Sequence, residues 1–272
     1  MSEVKYLQDW IDYEMIRGRY IFTKEDILAQ NLPLSNQALQ NSLSRLSSRG
    51  TIVSPWQNFY VTVPTEYRLK GVVPPSFYID RLMQFLGRRY YVSLLSAAEL
   101  NGAAHQRAMV FQVFVDGGPI RSGVKNGTRL EFMLRQNPPL DFTRQIKTQT
   151  GFMRVSGPEL TALDIVQYEH KIGGLGRASE ILVELSESTH WDKTKLPLLH
   201  RFSSCTIQRL GFLLDATENH AQADSLFAIF SKKCNGAFRK VALKKSVPFN
   251  EDMPVDNRWK VINNYELEID EL

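Results

Sequence analysis

From Leu34 to Val63 the chain changes its hydrophobic rhythm twice. Leu39, Leu43 and Leu46 recur at i, i+4 and i+7, an apolar stripe that predicts an amphipathic helix docked on a small core. At about 100° per residue, Gln37, Asn41, Ser44, Arg45 and Ser48 fall together on the opposite face, and the helix holds no acidic residue. After Gly50, a natural helix stop, TIVS and FYVTV form two short β-branched or aromatic runs. Pro55-Trp56-Gln57-Asn58 between them reads as the turn of a hairpin. Upstream, Thr23 and Asp26 make a capping-box-like start for a short helix through Ala29, and Asn31 to Leu34 turn the chain into Ser35, the expected N-cap of the longer helix.

A short helix, a turn, a polar-faced helix and a hairpin are the parts of a winged helix-turn-helix. Leu7, Trp10 and Ile11 within Tyr6 to Ile16 supply a helix before it, and Tyr20 to Phe22 a short strand or connector. The polar face suits DNA. Asn and Gln can pair bidentately with adenine, Arg with guanine, and Ser with base edges or phosphates. The candidate DNA-binding residues are therefore Ser35, Gln37, Gln40, Asn41, Ser44, Arg45, Ser48 and Arg49, with Trp56 and Gln57 on the hairpin. The alternative for the same face is plain solvation. Arg17 and Arg19 could touch phosphate or complement a helix dipole.

Composition shifts at Pro64 to Pro75, TEYRLKGVVPP, where a domain boundary is expected. The expected division is residues 1–70 as the winged domain and 71–272 as a larger mixed α+β domain. In the second part, helical patterns at Tyr78 to Leu86 and Leu94 to Leu100 precede strand-like AMVFQVFV, RLEFMLR and FMRVSG. Helical patterns then return in PELTALDIVQYEHKIG, RASEILVELSES, LPLLHRFSSCTIQRLGFLLDAT and ADSLFAIFSKK. Helices, then strands, then helices read as α+β rather than a repeating βα unit.

At 272 residues, 43% hydrophobic and 23% charged, the chain can bury two cores. A net charge of +4 permits a polyanionic partner without demanding one. Its layout is more informative. Between Ser225 and Asn250 there are six bases and no acid, whereas the final 22 residues carry seven acids against two bases. Lys232, Lys233, Arg239 and Lys240 are candidate additional phosphate contacts, or the rim is simply solvated. Two cysteines without ligand spacing, no charged-and-apolar leader and no long apolar run lead to the expectation of a cytoplasmic protein without membrane contact.

Signs of catalysis are weak. Gly173-Gly174-Leu175-Gly176-Arg177 lacks the Gly-Lys-Ser/Thr ending of a phosphate loop and reads as a turn between helices. The five histidines have no i,i+4 pair and no cysteine partner. Glu131, Asp164 and Glu169 could converge only through the fold, and Tyr90, Tyr91, Phe111 and Phe114 are better suited to a core than to stacking bases. No catalytic residue, metal ligand or cofactor is expected.

Two segments carry a resemblance: YYVSLLSAAELNGAAHQ at 90–106 and VSGPELTALDIVQYEHKIGGLGRASEILVEL at 155–185. With the winged helix before them, they resemble the AbiEi family of type IV antitoxins, which are also transcriptional regulators. The resemblance implies a functionally linked nucleotidyltransferase-like toxin. It further implies repression of the shared operon through inverted repeats in double-stranded promoter DNA, and antitoxicity without a stable toxin complex. Two copies on the operator would follow from its symmetry. An antitoxin that binds its toxin directly and an enzyme acting on nucleic acid are the alternatives. The resemblance assigns no catalytic role to His105, Gln106 or Gly173 to Leu175. Gly102, Gly173 and Gly174 are expected to stop helices, and Ala103 and Ala104 to permit close packing.

Overall fold

The structure is a computed structural model that describes residues 6–68, 72–103, 109–125, 127–234, 236–250 and 252–267. The chain begins with α1 (Leu7–Ile16), β1 (Ile21–Thr23), α2 (Lys24–Leu28), α3 (Asn36–Ser48), β2 (Ile52–Trp56) and β3 (Phe59–Thr62). The expected caps set these boundaries. Thr23 Oγ1 accepts from Asp26 N at 3.2 Å while Asp26 Oδ2 accepts from Thr23 N at 2.7 Å, a complete capping box with Asp in place of Glu. Ser35 Oγ accepts from Ala38 N at 3.2 Å and starts α3. Gly50 lies just past α3 with φ +67°, a conformation that an L side chain would strain.

The three strands pair in the order β1-β3-β2, both pairings antiparallel. Leu39, Leu43 and Leu46 bury the α3 stripe against Leu7, Trp10, Ile11, Phe22, Ile27 and Ile52. The hairpin is tighter than the sequence reading placed it. Pro55 and Trp56 belong to β2, a bulge separates Val53 from Trp56, and only Gln57-Asn58 turn the chain. Proline is tolerated there because the bulge removes the ladder bond its missing N–H would break. Asn58 takes φ +61°, which asparagine accepts more readily than most residues.

There follow α4 (Thr65–Arg68), α5 (Ile79–Phe85), β4 (Tyr90–Val92), α6 (Leu94–Leu100), β5 (Val110–Val115), β6 (Gly123–Lys125), β7 (Thr128–Leu134), β8 (Thr143–Thr148) and β9 (Gly151–Ser156). Strands β4 to β9 form a mixed sheet in the order β6-β7-β5-β4-β9-β8, with β5 parallel to β7 and β6 antiparallel to it. The remainder is helical: α7 (Pro158–Gln167), α8 (Leu175–Ser186), α9 (Leu196–Leu199), α10 (Ser204–Ala216) and α11 (His220–Lys233), then β10 (Val241–Ala242) and β11 (Val261–Ile262), paired in parallel. The fold is α+β. The expected helix from Leu196 to Thr217 is broken, because Ser203 Oγ accepts from Thr206 N at 3.2 Å and starts α10 afresh.

The described residues fall into two compact units, one from those of 6–90, 109–138 and 145–154, the other from those of 91–103, 139–144 and 155–267. In the second, α10 carries Gly211 where any Cβ would lie 2.2 Å from Trp259 Cζ2. Glycine lets the buried indole sit against the helix backbone, and its Nε1 donates to Asp215 Oδ2 at 2.7 Å. No helix among the described residues is long and apolar enough to cross a membrane.

Candidate nucleic-acid interface

One face of α3 is spent on the core and the other is open. Ser35, Gln37, Gln40, Asn41, Ser44, Arg45, Ser48 and Arg49 are all exposed. Gln37 Nε2 donates to Asn41 Oδ1 at 3.2 Å, one turn apart, so the two amides hold each other in a defined orientation on the helix surface. Ser48 Oγ donates back to Arg45 O at 2.9 Å and so presents acceptor capacity, whereas Ser35 Oγ accepts in the cap and keeps its O–H as a donor. Among the described residues neither Arg45 nor Arg49 makes an ion pair. Two uncompensated guanidiniums on an acid-free helix give this face a positive potential.

The β2–β3 hairpin stands on the same unit. Ser54 Oγ donates to Trp56 O at 2.8 Å and to Phe59 O at 3.1 Å, which stiffens the hairpin below its turn. Gln57 is exposed at the tip and Trp56 is half-buried. Sequence reasoning missed its cover: Lys125 Nζ, from β6, lies 5.2 Å from the centre of the Trp56 ring. Arg121 and Arg129 are exposed on either side of that lysine in sequence. Gly117 to Leu130 hold three bases and no acid, a signal that was available but had no visible connection to the hairpin.

In the second unit several polar residues are turned inward. Asp164 on α7 is fully buried, and its Oδ2 accepts from Tyr91 OH at 2.9 Å and Ser93 Oγ at 2.8 Å. Asn101 Nδ2 donates to Ser156 O at 3.1 Å and Thr161 Oγ1 at 3.0 Å, tying the end of α6 to β9 and α7. Gly173 and Gly174, at φ +107° and +100°, turn the chain into α8. The family model of the AbiEi antitoxin C-terminal domain matches residues 91–216, the segment that holds this whole network. The chain carries an AbiEi antitoxin domain. That domain supports an antitoxin role in a toxin–antitoxin system.

A search of curated proteins finds no match to the chain. Among solved structures, the crystal structure of the RV2827C protein from Mycobacterium tuberculosis is similar, with a TM-score of 0.65 at 13% identity over 96% of this chain and 93% of that one. At that identity the likeness shows a shared fold.

The other sequence-predicted residues have varied settings. Arg17 and Arg19 both reach Glu14, at 3.7 Å and 3.1 Å, so phosphate would have to compete with a carboxylate for them. Lys232, Arg239 and Lys240 are exposed. Lys233 has a task within the fold: its ammonium donates to Leu199 O at 2.7 Å and Phe202 O at 3.0 Å, capping the end of α9. Burial pulls its pKa below the ordinary lysine value. A phosphate would have to compete with those two carbonyls for it.

Glu131 accepts from Gln112 Nε2 at 3.0 Å. Tyr90, Tyr91 and Phe114 are buried and Phe111 is half-buried. His170, His190, His200 and His220 are exposed, while Ala104, His105 and Gln106 lie outside the described residues. Among the described residues no group of three or more His, Cys, Asp or Glu side chains could hold a metal ion.

Proposed function

We propose that this AbiEi antitoxin is of type IV and also represses its own operon. In this reading residues 1–70 act as a winged helix-turn-helix and residues 71–272 as the antitoxic part, and the protein works in the cytoplasm beside a nucleotidyltransferase-like toxin without itself being an enzyme. The observation that carries the DNA-binding half is the α3 surface: an exposed, acid-free face with pre-oriented amides and two arginines that make no ion pair among the described residues.

Helix α2 braces and α3 enters the major groove. Gln37, Gln40 and Asn41 face adenine edges, Arg45 a guanine, and Ser44 and Ser48 base edges or phosphates, with Ser35 and Arg49 near the backbone. The wing sets Trp56 and Gln57 on backbone or minor groove, and Lys125 beside Trp56 adds a cation to that contact. Arg17, Arg19, Lys232, Lys233, Arg239 and Lys240 are secondary phosphate contacts in this reading. Inverted repeats would take two copies.

The experiment is binding of the purified protein to its own upstream DNA and to a scrambled duplex across a salt series. Preference for the upstream repeats at about 150 mM salt, lost in Asn41→Ala with Arg45→Ala, is the expected result. Equal, steeply salt-dependent binding to both duplexes would remove the base-reading role from α3.

A further inference from the structure

The second unit holds a cavity of about 520 Å³ that the DNA-binding reading does not use. Its walls come from the first turns of α10, with Ser203, Cys205 and Arg209, and from the segment around β10, with Lys240, Lys245 and Phe249. Three cationic side chains line it and no carboxylate does. Arg209 Nε donates to Ala242 O at 2.8 Å, which fixes the guanidinium while leaving both terminal nitrogens for another partner. Burial lowers its pKa from the ordinary arginine value, and Cys205 and Glu169 only partly offset that cost.

Among the described residues Lys240 and Lys245 form no ion pair. Lys244 between them in sequence is engaged elsewhere, its ammonium 3.9 Å from the centre of the Tyr265 ring. The cavity also meets the N-terminus of a 13-residue helix, whose positive end adds to the cations. Phe249 on its wall is 55% exposed, an uncovered aromatic ring beside a basic pocket. A solvated rim would account for the lysines but not for a half-buried arginine and an open ring converging on one cavity of ligand size.

We propose that this cavity binds a nucleotide, with the phosphates on Arg209, Lys240 and Lys245 at the start of α10 and the base against Phe249. The pairing follows from chemistry. Clustered cations hold an oligophosphate, and a planar ring is what an exposed aromatic face recognises without demanding one base.

Titration calorimetry of the full-length protein with ATP, GTP, CTP and UTP, inorganic phosphate and adenosine tests it. At least one nucleotide binds, phosphate binds more weakly and adenosine does not. Lys240→Ala with Lys245→Ala lowers nucleotide affinity by roughly tenfold or more. Phe249→Ala weakens the nucleotide several-fold and leaves phosphate unchanged. These side chains lie at the surface or the cavity wall, so unchanged thermal unfolding checks that the variants fold.

Alkylation of Cys205, mapped by peptide, gives an independent readout: bound nucleotide slows it while the rate at Cys234 stays the same. The proposal is overturned if no nucleotide binds at millimolar concentration, if the variants bind as the parent does, if phosphate binds as tightly as every nucleotide, or if only oligonucleotides bind.

Discussion

Helices α3 and α7 are both rich in side chains that can hydrogen-bond, and they use them in opposite ways. On α7 every residue from Glu159 to Val166 is buried, and Thr161 and Asp164 are satisfied by neighbouring hydroxyls and carbonyls. On α3 only Leu39, Leu43 and Leu46 are buried, and the polar side chains bond to their own helix or to solvent. A buried polar group must find its partner inside the fold, because leaving it unpaired costs about 1–3 kcal/mol. An exposed one keeps its hydrogen-bonding capacity for another molecule. The same residue types therefore specify packing in one helix and stay exposed in the other.

That contrast can be broken at either end. Removing the carboxylate in Asp164→Ala leaves Tyr91 OH and Ser93 Oγ without this acceptor in a site closed to water. Chemical denaturation should show a loss of about 3 kcal/mol. Unchanged stability would mean that α7's polar residues are as dispensable to the fold as those of α3.

On α3 the order of effects reverses. Asn41→Ala and Arg45→Ala should each cost about 1–3 kcal/mol of binding to the upstream repeats while moving stability by about 0.5 kcal/mol or less. Melting and anisotropy on the same samples separate the two. A variant that loses DNA binding only in proportion to its unfolding would undo the distinction.

Lys125→Ala should act more mildly. If Lys125 meets phosphate beside the wing, affinity falls by a similar factor on specific and scrambled duplexes, and the slope of log affinity against log salt falls by about 1. A loss confined to the specific duplex would instead make it a base reader. The smallest effect belongs to Ser35→Ala, which should cost about 1 kcal/mol of stability through the α3 cap.

Much of this arrangement was legible along the chain, for identifiable reasons. The stripe of Leu39, Leu43 and Leu46, the boxes at Thr23 and Ser35, and the stop at Gly50 are local signals, and they become helices at the expected places. The strands at 110–115, 128–134 and 151–156 announced themselves by apolar alternation or runs. Strands β4, β6 and β8 did not. β4 and β6 are only three residues long, and β8, TRQIKT, is half-exposed and polar, so pairing partners rather than propensity make them strands. Pro55 looked like a turn residue, and only the bulge let it enter β2.

By itself the sequence determined the helices and caps between Leu7 and Gly50, which face of α3 is apolar, and the resemblance to AbiEi that the match at 91–216 upholds. Each depends on residues a few positions apart or on a contiguous segment, where periodicity, capping and composition act directly. The tertiary structure decided the rest: that Lys125 covers Trp56, that Lys233 caps a helix, that Asp164 is held by Tyr91 and Ser93, and that Arg209, Lys240, Lys245 and Phe249 line one cavity. These pairings join residues tens of positions apart. Long-range contacts form only when burial of the whole core offsets the chain entropy of bringing such segments together, so no local pattern can encode them.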